Sequence, residues 1–236
     1  MPSDLELMEL QAEALFTHDQ NGRIRYTNEP GATPAPRFLL GRTKHGNIWR
    51  LRYDLPDDVV RELDALAASE PVTADLRANP VHFEAFGNTL RAHAPIEQVY
   101  RGPAYRFPDT IARPTNTVLI AEENAELLRF GFPDALDDPE RPWKLYQPYV
   151  AVVEHGAAVS VCFSARITPR VAEAGVETLE AFRGRGYATQ AVAGWAVAVR
   201  ELGRLPLYST WWDNLASQGV ARRLDLVLYG SELSFT

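Results

Sequence analysis

Residues 173–202 read EAGVETLEAFRGRGYATQAVAGWAVAVREL, and three kinds of local order follow one another within them. Ala174 to Leu179 suit a strand. Arg183-Gly184-Arg185-Gly186 is a short basic turn. From Tyr187 onward, Ala188, Ala191, Val192, Trp195, Val199 and Leu202 recur at three- and four-residue spacing, so one face of a helix is buried. The entrance of such a helix presents free backbone N–H groups at the positive end of its macrodipole. Two glycines let a ligand come close and two arginines add charge. The stretch therefore predicts an anion site, and a phosphate site above other anions.

Arg183-x-x-Gly186-x-Ala188 between a strand and a helix resembles the acyl-CoA pyrophosphate loop of the GNAT superfamily of N-acyltransferases. Leu207-Tyr208-Ser209-Thr210, followed by Asn214-x-x-Ser217 at a helix start, resembles the next strand and helix of that family. The resemblance covers the last half of the chain, from about Thr117 onward. It implies that Gly184, Arg185, Gly186, Tyr187, Ala188 and Thr189, with Arg183, hold the CoA pyrophosphate. It also implies that backbone at Thr178 and Leu179 pairs with the pantetheine arm, and that Asn214 and Ser217 lie beside that arm. A tyrosine seven residues after the Asn usually protonates the departing thiolate in this family. Here that position is Ala221, so Ser217, Tyr208, Tyr187 or water would have to serve.

Transfer to an amine needs the amine neutral before it attacks a thioester, which makes a carboxylate a natural proton acceptor. Strand alternation places Glu173 and Glu177 on one face. Glu177 is nearest the expected thioester and is the first candidate base, with Glu173 second. Each of these residues also has a plainer reading: the arginines as solvated turn charges, Glu177 as an exposed strand residue, Asn214 as a helix cap. Gly184-Arg185-Gly186-Tyr187-Ala188-Thr189 also superficially matches a dinucleotide loop. The third glycine is Thr189, however, and the strand about twenty residues on ends in Ser209-Thr210 without an acid for the ribose.

With 236 residues, 46% hydrophobic and 23% charged, the chain has an ordinary soluble balance and enough length for a sizeable core. A net charge of −7 argues against nucleic-acid or anionic-membrane partners. The single cysteine, Cys162, excludes an intramolecular disulfide and reads as a small core residue. No Cys/His group has metal spacing, so no metal is expected. Met1 to Leu15 carries four acidic residues and no basic one, unlike a signal or transit peptide. The expected location is cytoplasmic.

Along the chain, Leu5–Leu15 has helical spacing. Leu15–Tyr26 reads as a hairpin around Asn21-Gly22. A second strand pair is expected over 37–53, then helices at Val59–Ala68 and Phe83–His93. The aromatic, basic run Glu97–Pro108 reads as a strand and turn, or else as a wall of an acceptor pocket. Asp109–Pro114 reads as a linker. Thr117–Ile120 is a strand, Glu122–Phe130 a helix, and Tyr149–Glu154 with Ala157–Ile167 a hairpin at His155-Gly156. In its second strand Ser160, Cys162, Ser164 and Arg166 should share one face, with Val161, Phe163, Ala165 and Ile167 on the other. Pro206–Thr210 is a strand, Asn214–Leu224 a helix, and Val227–Phe235 one or two closing strands.

The expectation is an α/β protein with an α+β mixed sheet. Residues 116–236 would form a GNAT-like acyl-CoA-binding catalytic domain. Residues 1–115 would form an N-terminal α+β region with an acceptor-pocket role, either an added domain or a degenerate copy of the same fold. The function implied is acyl transfer, acetyl in particular, from acetyl-CoA directly to an amine of a small molecule or peptide, by a monomer or homodimer. A non-catalytic acyl-CoA-binding or partner-binding module is the alternative, and an NAD(P)-dependent oxidoreductase a weaker one.

Overall fold

The structure, a computed structural model, describes residues 2–140 and 142–236. Helix α1 (Asp4–Leu15) opens on a capping box: Ser3 Oγ accepts from the Glu6 amide, and Glu6 Oε2 accepts from the Ser3 amide, so two otherwise orphaned donors are satisfied. A small hairpin of β1 (Phe16–His18) and β2 (Ile24–Thr27) turns through Asn21-Gly22, where Gly22 takes a left-handed φ of 76°. Next come β3 (Phe38–Thr43), β4 (Gly46–Leu51), α2 (Asp57–Ser69), α3 (Phe83–His93) and β5 (Val99–Arg106). Asp57 and Asp58 occupy the first turn of α2, where negative charge offsets the dipole. The buried Arg37 guanidinium donates to the Leu90, Ala94 and Pro95 carbonyls, tying down the C-terminal end of α3.

The second half contributes β6 (Thr117–Leu119), a short α4 (Pro133–Asp137), β7 (Tyr149–Glu154), β8 (Ala157–Ile167), β9 (Val171–Thr178), α5 (Tyr187–Glu201), β10 (Leu205–Ser209), α6 (Leu215–Arg223) and β11 (Val227–Phe235). The helix expected over Glu122–Phe130 is present as Glu122–Leu128, in the tighter 3-10 form. Asn124 accounts for this locally, because its side chain accepts from the Ala121 amide and donates to the Leu119 carbonyl, a pattern that competes with helical pairing.

Nine strands form one mixed sheet in the order β4-β3-β11-β5-β10-β9-β8-β7-β6. Every neighbouring pair is antiparallel except β9 and β10. The sheet runs unbroken across residue 115, and its halves are interleaved. Strand β5 lies between β10 and β11, and β11 lies between β5 and β3. The run 97–108, one of whose readings was an acceptor-pocket wall, thus supplies a central strand.

The core fills both faces. Phe38 and Leu40 pack with α2 and α3, whereas Leu39 packs with α1. Likewise Ala172 belongs to the cluster under α5 and Val171 to the one under α1. Strand alternation therefore sets α1 on one face and α2, α3 and α5 on the other. Trp195, fully buried on α5, is among the largest side chains in that core, and its indole N–H donates to Ser164 Oγ at 3.1 Å.

One alternation pattern fails. The register of β8 against β9 shifts between Ser164 and Arg166. The extra residue of this bulge carries Arg166 across the sheet, and it lines a pocket together with Phe163 and Ala165. The expectation that Arg166 shares a face with Ser160 and Cys162 is corrected on that ground.

Candidate functional site

Strands β9 and β10 pair only over Leu205–Val171, Pro206–Ala172 and Leu207–Glu173. Beyond Glu173, β9 runs on to Thr178 with β8 on one side, while β10 turns away along β5. After Ser209 the Thr210 amide donates to the Pro103 carbonyl and the Trp212 amide to that of Arg101. Gly102 permits this divergence, because a Cβ there would stand 1.9 Å from the Thr210 carbonyl oxygen. Tyr100 Oη donates to the same oxygen at 2.9 Å. The result is a V-shaped opening in which the edge of β9 from Ala174 onward has no strand beside it. An exposed strand edge of this kind is a template for an extended ligand carrying amides of its own.

The opening leads to the entrance of α5. Gly186 caps that helix in the left-handed conformation, φ 83°, and Gly184 has φ 77°. Neither would meet a neighbour within 4 Å if given a Cβ, so the space before them is open. No side chain caps the helix. Its first-turn amides therefore face the cleft without intrahelical partners. Thr189 Oγ1, buried in the same place, also lacks a hydrogen-bond partner among the described residues.

A cleft of about 620 Å³ joins these features. It is lined by Glu177, Thr178, Leu179, Arg183, Gly184, Gly186, Tyr187, Ala188, Thr189, Asn214 and Ser217. Two anticipated residues lie elsewhere. Arg185 is not part of the lining; its guanidinium donates to the Ala181 carbonyl at 3.1 Å and sits 5.0 Å from the Phe182 ring centroid. Glu173 is buried at the root of the V. Lining residues without a functional reading in the sequence include Gly131 and Phe132, from the loop before α4, and Arg223, from the last turn of α6. Arg223 lies nine residues beyond Asn214, and only the packing of α6 beside α5 brings it to the cleft.

Asn214 Oδ1 accepts from the Ser217 amide at 3.0 Å, so it does cap α6. Tyr208, on the neighbouring β10, donates to the Ser217 carbonyl at 3.3 Å, and burial pushes its phenol up to about 12. Tyr187 Oη donates to Glu154 Oε1 at 2.6 Å. Ala221 is buried in the core under α6. The Cys162 thiol is wholly buried and its pKa is pushed well up, which makes it inert as a nucleophile.

Glu173 and Glu232, on β9 and β11, are both buried. Burial raises the Glu173 carboxyl to about 7, while the nearby Ser209 hydroxyl and amide and the Arg166 charge pull it back down. Neither Glu173 oxygen reaches hydrogen-bond geometry with any described residue. Burial, then the charge of Glu173, raises Glu232 to about 8.

A second cavity, about 540 Å³, shares Gly131, Phe132 and Glu177 with the cleft. Phe163 lines it and packs across from Gly175. Its wall is thus the face of β9 that bears Glu177, while Val176 and Thr178 of the opposite face line the cleft. The two spaces meet at Glu177. Among the described residues no group of three or more His, Cys, Asp or Glu is arranged to hold a metal, and no helix is long and apolar enough to cross a membrane.

Neither a protein-family profile nor a curated protein matches this sequence. Solved structures do resemble the chain. A GCN5-related N-acetyltransferase-like protein from Streptococcus suis is 15% identical over 86% of this chain and 85% of its own, with a TM-score of 0.48. An acetyltransferase of the GNAT family from Colwellia psychrerythraea is 14% identical over 80% and 76%, TM-score 0.47. A GCN5-related N-acetyltransferase from Kribbella flavida is 20% identical over 64% and 63%, TM-score 0.44.

Proposed function

We propose that this chain is a GNAT-type N-acyltransferase that moves an acyl group, acetyl in the first instance, from acyl-CoA directly to an amine. One observation carries the reading: the unpaired edge of β9 and the glycine-opened mouth of α5 lie in a single cleft. An extended thiol arm with amides and a diphosphate at its far end needs those two features in that order.

Acyl-CoA supplies the thioester that is attacked. The chain's own residues do the rest. Backbone at Thr178 and Leu179 pairs with the arm, the amides from Gly184 to Thr189 bind the diphosphate, and Arg183 adds a charge-assisted contact. Arg223 is a second cation for the same group. Arg185, turned back onto Phe182, offers only its backbone. Glu177 stands where cleft and second cavity meet, and there it takes the proton from the acceptor ammonium, directly or through water. The neutral nitrogen then forms the bond to the acyl carbon as the carbon–sulfur bond breaks, and the proton that the amide nitrogen sheds passes through water to the thiolate, which leaves as the thiol beside Asn214 and Ser217. Glu173 lies earlier on the same strand, on the same face as Glu177, and is the second candidate base.

Thiol release on mixing acetyl-CoA with a panel of amines tests the reading. Wild-type protein should release thiol with some amine, and Glu177→Ala should lose most of that activity while binding CoA as before. Equal rates in the two proteins would remove Glu177 from the mechanism. The buried Ala221, at the place of the usual tyrosine, favours a second reading, a module that binds acyl-CoA without turning it over. Tight CoA binding with no thiol release from any amine would select it.

A further inference from the structure

The second cavity identifies the kind of amine. Its walls are aromatic: Tyr149 stacks on Phe163 with centroids 5.2 Å apart and an interplanar angle of 11°, Tyr146 meets Phe163 edge-on at 5.6 Å, and Trp143 lies beside them. Among the described residues its charges are predominantly negative. Glu29, Asp134, Asp138 and Glu177 line it, against Arg166. Arg166 is spoken for, since its guanidinium pairs with Glu29 at 2.7 Å with both side chains largely buried. Asp134 and Glu177 have no ion pair among the described residues. Asp134 sits on α4 and Glu177 on β9, and both line this cavity.

An acceptor bearing a carboxylate would bring a third negative charge between Asp134 and Glu177, and Arg166, the one cation lining the cavity among the described residues, is already paired with Glu29. A cation finds the opposite: aromatic faces that attract positive charge and two lining carboxylates, Asp134 and Glu177, without an ion pair among the described residues. Resting on the acyltransferase reading, the geometry points to an acceptor that is a small organic polycation, an alkyl diamine or its like. One amine would be presented to Glu177, its apolar stem would lie along Tyr149 and Phe163, and a second positive group would pair with Asp134. Amino acids and acidic peptides are disfavoured by the same charges.

Three amines of equal carbon count separate the possibilities: putrescine, butylamine and γ-aminobutyrate, ending in ammonium, methyl and carboxylate. For each, kcat/KM for thiol release from acetyl-CoA is measured alongside the Kd for the amine by calorimetry on the CoA-loaded protein. Putrescine should exceed butylamine by about tenfold and γ-aminobutyrate by more, as expected for one added and one opposed charge contact. Asp134→Asn should reduce the putrescine-to-butylamine ratio towards one without altering the rate with butylamine or the Kd for CoA. Asp134 is exposed, so the variant is expected to fold, which a circular dichroism melt checks. Equal responses to all three amines, including no binding or turnover of any of them by a protein that binds CoA, would overturn the inference. A ratio unchanged in Asp134→Asn would overturn it as well. Failure of the acyltransferase reading looks different: the protein would either not bind acetyl-CoA at all, or would bind it and still prefer putrescine in the amine Kd while releasing no thiol with any amine.

Discussion

Replacing Glu232 by Gln should make the protein less sensitive to alkaline pH, by an amount the structure allows to be worked out. Glu232 is buried, and its carboxyl is raised from 4.5 to about 8. A carboxyl whose folded pKa lies above its unfolded one holds its proton more tightly in the folded state. It therefore costs nothing below about pH 4.5, and destabilises the fold progressively as pH rises from there towards 8. Each pH unit within that window costs about 1.4 kcal/mol, so at neutral pH the penalty is about 3 kcal/mol. For a chain of this size that corresponds to a melting point lowered by roughly 6–12 °C. A buried Gln carries its own cost for an unsatisfied amide, but that cost does not vary with pH. Melting curves for wild type and Glu232→Gln at about pH 5, 6 and 7 isolate the pH-dependent part. The variant should gain about 1.4 kcal/mol on wild type per pH unit. A difference between the two proteins that stays constant with pH would show that Glu232 ionises normally, and the reasoning from its burial would be refuted.

Glu173→Gln should behave in the same sense, with its window closing near pH 7, and the double variant should gain less than the two single gains together because the two carboxylates repel each other. Gly186→Ala places a Cβ on a residue with φ 83°, at a cost of about 1–2 kcal/mol, and combined with Arg183→Ala it should abolish CoA binding measured by calorimetry; unchanged affinity would move the diphosphate elsewhere. Gly102→Ala puts a Cβ 1.9 Å from the Thr210 carbonyl oxygen, so the V between β9 and β10 must close or the strand must shift, and hydrogen exchange at Thr210 and Trp212 should rise. Asn214→Ala removes the cap of α6 and should cost about 1 kcal/mol in a thermal melt.

The region carrying the candidate site was the most legible part of the sequence, because its signals are local. A strand, two glycines and the apolar stripe of α5 follow one another within thirty residues, and the structure has them in that order. The side chain of Arg185 turns from the cleft for an equally local reason: Phe182, three residues earlier, offers it a ring. The sheet order was not legible. Nothing in the run 99–106 announces that it will lie between β10 and β11, since that pairing is decided by contacts more than a hundred residues apart in the chain. Nor does alternation foresee a bulge, and one extra residue at Ala165 moved Arg166 into the second cavity. The buried Glu232 gave no signal because its surroundings, Gly102 and Gly41 on adjacent strands, come from the other half of the chain.

The position of β11 governs how the molecule can be assembled. Both of its partners, β3 and β5, come from the first half, and β5 in turn is flanked by β10. Until residues 227–235 arrive, β3 and β5 present bare edges to one another with a strand's width between them, a state prone to pairing with other chains. Such distant pairings are slow to form. Cutting the chain near residue 115 would leave each piece with a gap that only the other can fill, so two separately expressed pieces should be insoluble apart and recover order on mixing.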